Sequence, residues 1–374
     1  MKHPTTPRTQ GFALPEIASI LVVATIGMAI SIPALDDTRR QAGLGRDIKN
    51  LRQIAQWTAM YALDNKNLYW TYSWEEGHQN SQWPDLNNSS NKVQAAGHQA
   101  VDILRRRTGR GSGPTMIAPG GSWLPHVLNS HLPLVDYLDR DLPDFAFIST
   151  ADTHRLMWAS DPLAFDQGAF LPFQPQPIPN RMRIPYSSSH RLSTSFFDGS
   201  PVGVRIWQFN HIQFAIPFWN RHGTHVMGGM PLHDVSFPAR KVHINFSESR
   251  YFNTYQFCVS DGARLPFLMA DSSVQIHDAD DADEGWQPNN PTVPEPTVFT
   301  YEPRLWEAPT SNGEPSEIVI GRFLWTRDFL AGQDFNRPNR PPRSKPNSDH
   351  KKRLLAEILL QLATESKPHE IANP

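Results

Sequence analysis

Histidines are the residues of this 374-residue chain best suited to binding a metal, and there are 15 of them. His222 and His225 stand three positions apart, with His211, His233 and His243 near them in sequence. Imidazole nitrogens are common zinc ligands, but a zinc site needs three or four ligands that converge. The spacing supplies one pair and no third ligand. We therefore expect structural or surface roles for these histidines and predict no metal site.

A run of carboxylates at residues 278–284, D-A-D-D-A-D-E, offers the oxygen ligands that calcium prefers. The run departs from the EF-hand calcium loop, because counting back from Gly285 places Ala282 where that loop requires an acid or an asparagine. We expect no resident cofactor, and calcium at residues 278–284 is the weaker alternative.

Catalytic motifs are missing from the sequence. It contains no Gly-x-Ser-x-Gly elbow, no Walker loop, no His-Glu-x-x-His zinc motif and no dinucleotide-binding fingerprint. The single cysteine, Cys258, excludes an intramolecular disulfide, and its setting in Q-F-C-V is typical of a core residue. The sequence therefore predicts that the protein is not an enzyme.

One carboxylate, Glu16, stands near the start of an apolar run from Phe12 to Leu35. A run of about 20 apolar residues suits a membrane-spanning helix, in which a carboxylate costs about 2–3 kcal/mol. The leader before it carries Lys2 and Arg8 but no acid, which favours a cytoplasmic N-terminus. The charge of Glu16 therefore needs a partner.

The residues Gly11-Phe12-Ala13-Leu14-Pro15-Glu16 resemble the cleavage and methylation motif of type IV pilins and type II secretion pseudopilins. The resemblance implies that a prepilin peptidase cuts after Gly11 and that an N-methyltransferase methylates Phe12. It also implies that Glu16 pairs with the N-terminal ammonium of a neighbouring subunit, and such a pair sets the register of a filament. The chain departs from the commonest pattern at Ala13 and Pro15, although proline fits the first turn of a helix.

Two other interpretations of this segment are open. It can be a secretory signal peptide cut near Ala29-Ile30-Ser31, where small residues stand, or an uncleaved signal anchor. Glu16 has no role in either. The corresponding alternative function is a membrane-anchored or secreted extracytoplasmic protein that binds a ligand.

Four further segments are similar to a large group of bacterial prepilin-type proteins abundant in planctomycetes: N-L-R-Q-I-A-Q-W-T-A-M-Y-A-L-D-N, M-R-I-P-Y-S-S-S-H, V-S-F-P-A-R-K-V-H and F-L-M-A-D-S-S-V. The group often ends its head with a histidine that is followed, after a fixed interval, by Asp-Gly. The aligned positions here hold Asp261 and Asp271-Ser272.

A long N-terminal helix has to position these residues. Apolar or small residues recur at alternating intervals of four and three, which places them on one helix face. They are Leu44, Ile48, Leu51, Ala55, Thr58 and Ala62. The pattern predicts a helix from Phe12 to about Asp64 whose second half packs on its own subunit.

The predicted fold class is α+β, with the long transmembrane helix packed on a mainly antiparallel sheet that has long loops. Predicted strands are Val202–Phe209, His211–Trp219, Lys241–Phe246 and Glu317–Thr326, with a hairpin around Asp271-Ser272-Ser273. A helix is predicted at Gln94–Arg107, ending in three arginines that we expect to be solvated, and an irregular segment at Ser149–Asp161.

The chain divides into six parts by composition and pattern. These are a leader (1–11), a transmembrane and assembly helix (12–35), an amphipathic continuation (36–64), a globular head (65–335), a proline-rich linker (336–349) and a C-terminal amphipathic helix with its tail (350–374).

The charge balance and the leader fix the expected partners and location. Lys and Arg number 35 against 37 Asp and Glu, so no net charge favours nucleic acid. We expect a single-pass protein of the bacterial inner membrane whose head is extracytoplasmic and whose partners are the processing enzymes and other pilin-like subunits.

Overall fold

The structure is a computed structural model that describes residues 14–119, 123–125, 127–175, 181–197, 206–209, 212–217, 229–252, 255–285, 296 and 298–335. For residues 14–34, 181, 206–209 and 212–217 it describes the backbone only. The linker and C-terminal helix predicted at 336–349 and 350–374 lie outside the described residues.

Six α-helices lie in the described part of the chain. They are α1 (Leu14–Asp64), α2 (Lys92–Thr108), α3 (Leu132–Tyr137), α4 (Thr153–Ser160), α5 (Pro162–Asp166) and α6 (Thr194–Phe197). Helix α1 has 51 residues and is therefore roughly 75 Å long. It continues through Pro33 and ends at the residue that the sequence pattern predicts.

Ten strands accompany these helices in the described residues. They are β1 (His190–Leu192), β2 (Ile206–Phe209), β3 (Ile212–Pro217), β4 (Val242–Phe246), β5 (Glu248–Ser249), β6 (Gln256–Phe257), β7 (Arg264–Met269), β8 (Val274–Asp278), β9 (Val298–Tyr301) and β10 (Glu317–Ile320). The main sheet has the order β1-β4-β7-β8, and all of its pairs are antiparallel. The α+β class with an antiparallel sheet is confirmed.

The predicted hairpin is formed by β7 and β8. Leu268 pairs with Val274 beside the turn at Asp271-Ser272-Ser273, and Ser272 has a φ of +71°. Both faces of β7 are buried beyond Arg264, because the sheet is covered on its two sides. The strand therefore lies in the middle of the core, whereas β8 is the half-exposed edge.

The core joins α1 to the sheet. Leu51, Ile54 and Trp57 of α1 lie in one buried cluster with Leu265 and Phe267 of β7. The predicted apolar stripe is confirmed at five of its six positions, since Leu44, Leu51, Ala55, Thr58 and Ala62 are buried, and Ile48 is half-buried. The second half of α1 is therefore a part of the head.

Two local predictions are wrong. The segment predicted to be irregular contains α4, because Asp152 caps its first turn by accepting a hydrogen bond from the Arg155 amide at 3.1 Å. The strand predicted at Glu317–Thr326 ends at Ile320, and a 3₁₀ helix (Arg322–Leu324) follows.

The prediction that the three arginines at the end of α2 are solvated is wrong for Arg105, whereas Arg106 is exposed and Arg107 is half-buried. Arg105 is buried and forms a two-pronged ion pair with Asp85, at 2.8 and 2.6 Å. Arg106 binds Asp136, and Arg107 binds the same carboxylate. These guanidinium groups join α2 to neighbouring segments, because a planar fork matches the geometry of a carboxylate.

Candidate functional site: the junction between the long helix and the head

A buried carboxylate anchors α1 to the head. Asp47 has 0% exposure and accepts three hydrogen bonds from the head, which come from the Ser149 hydroxyl, the Thr150 amide at 3.0 Å and the Tyr251 hydroxyl at 2.5 Å. The Thr150 hydroxyl donates to the carbonyl of Gly43 at 3.2 Å. A buried carboxylate is tolerated only when such donors satisfy it.

Tyr251 is suited to this donor role. Burial is the main cause that raises the pKa of its phenol, and the nearby charge of Asp47 raises it further. The hydroxyl therefore keeps its proton over the physiological pH range. It approaches Ser149 at 3.1 Å and Thr150 at 3.0 Å, so the three head residues form one connected group around Asp47.

A second buried carboxylate, Asp152, lies in the same segment as Ser149 and Thr150. Asp152 pairs with Arg155 at 2.7 Å and with Arg250 at 3.1 Å, and it accepts a hydrogen bond from Ser189 at 2.7 Å. Burial acts to raise the pKa of Asp152, but the charges of the two arginines outweigh it and hold the pKa below its usual range. Arg250 also binds Glu248 at 2.5 Å.

Helix α1 leaves the head directly before this junction. Leu44 is the first buried residue of the stripe, and residues 35–39 are exposed, with Leu35 at 55%. Asp36 and Asp37 lie inside α1 and pair with Arg39 and Arg40. Among the residues described with side chains, we find no helix that is both long enough and apolar enough to cross a membrane.

The predicted processing residues are not part of this described site. Gly11 and Phe12 lie outside the described residues, and so does the side chain of Glu16, whose backbone belongs to α1. Their roles remain predictions.

The predicted metal ligands do not converge in the described part of the chain. His211, His222 and His225 lie outside the described residues; His233 is on the surface, and His243 is buried among aromatic rings. No group of three or more His, Cys, Asp or Glu side chains there is placed to hold a metal ion.

The acidic run at 278–284 is partly engaged by other groups. Asp280 pairs with Arg322 at 2.6 Å and accepts a hydrogen bond from the Gly262 amide at 2.8 Å, while Asp278 lies 3.7 Å from Arg264. Asp261, which replaces the histidine of the similar group, binds Arg322 at 2.8 Å.

Cys258 is buried, as its sequence setting predicts. Burial raises the pKa of its thiol to about 11, so the thiolate that would react as a nucleophile is scarce at neutral pH. The Arg191 guanidinium lies 3.5 Å from its sulfur.

The sequence reasoning missed Asp47, although a signal was present. Asp47 lies three residues after Leu44 and four before Leu51, which places an acid on the apolar face of a helix. A carboxylate on such a face requires donors from the structure that it packs against. Its partners could not be named, because they lie 102 to 204 positions away.

Comparison of the chain with protein-family models, with curated proteins and with solved structures finds no match.

Proposed function

We propose that this protein is a pilin-like or pseudopilin-like structural subunit. A prepilin peptidase removes residues 1–11, the new N-terminus at Phe12 is methylated, and residues 12–35 hold the chain in the bacterial inner membrane. The head lies outside the cytoplasm. The subunit assembles into, or associates with, a filament or a secretion apparatus through its long helix.

The continuity of α1 carries the proposal. A filament subunit of this kind needs one rigid rod that is free at one end for packing with neighbours and fixed at the other end to its head. Helix α1 runs unbroken from Leu14 to Asp64, its apolar stripe enters the core from Leu44 onward, and its side chains at 35–39 are exposed. The motif at Gly11 to Glu16 stands directly before and at the start of this rod.

Glu16 gives the assembly its register. A carboxylate within an apolar segment is costly alone, and the free ammonium that cleavage creates at Phe12 of a neighbouring subunit neutralises it. Because one pair forms per neighbour, the pair fixes how far each helix is staggered along the next.

The junction at Asp47 transmits load from the rod to the head. Three hydrogen bonds to one buried carboxylate resist both rotation and sliding of α1, since each donor approaches from a different residue of the head. The arginine pairs of Asp152 stiffen the segments that carry those donors.

The mature N-terminus tests the proposal. The intact chain is isolated from its native membrane, and its mass and N-terminal peptide are measured for wild type, Gly11→Leu and Ser31→Leu. We expect wild type and Ser31→Leu to start at methylated Phe12, whereas Gly11→Leu keeps its leader because a bulky residue replaces the small one before the cut.

The opposite pattern contradicts the proposal. A wild-type chain that starts near Ser31, and that stays uncut only in Ser31→Leu, identifies a secretory signal peptide. A chain that keeps Met1 in all three proteins identifies a plain anchor. Either result leaves an extracytoplasmic binding protein as the better description.

A further inference from the structure

Arg183 is a buried cation that meets no anion among the described residues. It lies in a 3₁₀ helix (Arg181–Tyr186), is 3% exposed, and its Nη1 atom is buried with no hydrogen-bond partner. Its guanidinium stacks on the indole ring of Trp123, 3.6 Å from the ring centre. In the described part of the chain it forms no ion pair.

Three other buried arginines of the head differ from Arg183 in this respect. Each of the following is buried and meets at least one carboxylate: Arg105 with Asp85, Arg110 with Asp166, and Arg322 with Asp261. Each of these three buried guanidinium groups therefore has a carboxylate partner, whereas Arg183 has none among the described residues.

The surrounding sequence offers no acid either. Residues 109–135, which contain Trp123, and residues 167–197, which contain Arg183, include neither aspartate nor glutamate. Helix α5 packs against the 3₁₀ helix of Arg183, but its one acid, Asp166, is bound to Arg110. The nearest acid after residue 197 is Asp198, which lies outside the described residues.

The charge of Arg183 persists in this setting. Burial lowers its pKa to about 9, which still leaves the group protonated at neutral pH. An unpaired buried charge is costly, so the folded head gains stability from any anion that reaches it. Stacking on Trp123 holds the guanidinium plane in place, and its edge can then present two N–H donors to one oxyanion.

We infer that Arg183 and Trp123 form a binding site on the head for one small organic carboxylate. A carboxylate has the planar two-oxygen edge that matches a guanidinium, and its single charge balances one cation. A phosphate carries up to two charges and calls for a second cation. The ligand is small because the guanidinium is nearly enclosed, whereas the Trp123 ring on which it stacks is half buried. The inference is independent of the proposed processing at Gly11.

Thermal unfolding of the full-length protein in detergent tests the inference. The midpoint is measured at pH 7 with sodium acetate, propanoate or benzoate, and with chloride or phosphate at equal ionic strength. A ligand that binds only the folded state raises the midpoint with concentration. We expect at least one carboxylate to raise it by roughly 2 °C or more over chloride, and phosphate to have no such effect.

Variants test whether the rise in midpoint caused by carboxylates depends on Arg183 and Trp123. Arg183→Gln and Trp123→Ala should lose the carboxylate shift, and Arg183→Lys should weaken it at least about tenfold in concentration, because an ammonium lacks the fork. Arg304→Gln is the matched control, since Arg304 is an exposed arginine over Trp306, at 5.7 Å, and should keep the full shift. If Arg183→Gln does not fold, Arg183→Lys decides.

Four results would overturn the inference, the first three in the thermal midpoints. These three are a wild-type midpoint that no carboxylate raises over chloride, a shift produced by phosphate alone, and a carboxylate shift that Arg183→Lys retains in full. A fourth is strong coupling between Arg183→Gln and Asp198→Asn in a double-mutant cycle, because it would show that the chain supplies its own carboxylate.

Discussion

The hydroxyl of Tyr251 donates a 2.5 Å hydrogen bond to the carboxylate of Asp47 across 204 positions of chain. This contact joins the long helix to a segment just after the central sheet strand β4, and Ser149 and Thr150 complete it from a third part of the chain. The helix is thus fixed to the head by polar contacts at the point where it leaves the apolar core. Removal of the two carboxylate oxygens of Asp47 should therefore destabilise this junction.

Asp47→Ala should lower the free energy of unfolding by about 3 kcal/mol or more. The substitution leaves three donors without an acceptor, and each buried donor left unpaired costs about 1–3 kcal/mol. Guanidinium denaturation of the full-length protein in detergent measures the loss. Asp37→Ala is the control on the same helix, since Asp37 is exposed and should change stability by no more than about 0.5 kcal/mol. Equal losses in the two variants would mean that Asp47 does not anchor the helix.

Two glycines of α1 provide a matched pair for the same junction. A Cβ at Gly43 would lie 3.1 Å from the Thr150 hydroxyl oxygen and 3.1 Å from the Tyr251 ring, whereas a Cβ at Gly45 would meet nothing within 4 Å. Gly45→Ala should therefore stabilise the protein by about 0.5–1 kcal/mol through helix propensity alone. Gly43→Ala should lose that gain or destabilise, because the added methyl group crowds the donors of Asp47.

Thermal midpoints of the two variants under one set of conditions check this pair. A rise of equal size in both would show that the head does not press closely on α1 at Gly43.

Patterns among neighbouring residues predicted the helices and strands. The contacts of the site, in contrast, depend on residues that are distant in sequence. The end of α1 at Asp64 and the β7–β8 hairpin follow from apolar spacing and turn residues, which are properties of neighbouring positions. The role of Asp47 and the pairing of Arg105 with Asp85 depend on segments that folding brings together. Helix α4 was missed because proline-rich neighbours hid a short capped helix whose N-cap, Asp152, is fixed by Arg155 and Arg250.

Acid should weaken the head through buried histidines. His243 of β4 lies against Tyr69, Trp70 and Phe196, and burial lowers its pKa to about 3. In the unfolded chain its pKa is about 6.5, so between pH 6.5 and 3 the unfolded chain binds a proton that the fold does not. The stability due to neutral His243 is therefore complete above pH 6.5 and is lost progressively as the pH falls towards 3.

His243→Phe should remove the contribution of His243 to the pH dependence of the unfolding free energy. The slope of the unfolding free energy against pH should fall by up to about 1.4 kcal/mol per pH unit between pH 6.5 and 3, which corresponds to one proton. Denaturation curves at several pH values measure the slope. An unchanged slope in His243→Phe would show that His243 is already charged in the fold.

Arg105 distinguishes a guanidinium fork from a simple positive charge at the end of α2. Its side chain is fully buried, binds both oxygens of Asp85 and donates to the carbonyl of Ile117 at 2.8 Å. Arg105→Lys keeps the charge near the helix C-terminus but cannot make all three contacts, so it should destabilise the protein by about 2 kcal/mol or more. Lys92 is the first residue of the same helix and forms a partly exposed ion pair with Glu75, and Lys92→Ala should cost less than about 1 kcal/mol. The alternative is that Arg105 stabilises the protein only because a cation is attracted to the C-terminal end of the helix dipole. In that case Arg105→Lys would leave the denaturation midpoint almost unchanged. The burial of the Arg105 side chain argues for the large loss, because a lysine ammonium at this position would be kept from water without the contacts that the guanidinium makes, even though Asp85 itself is 40% exposed.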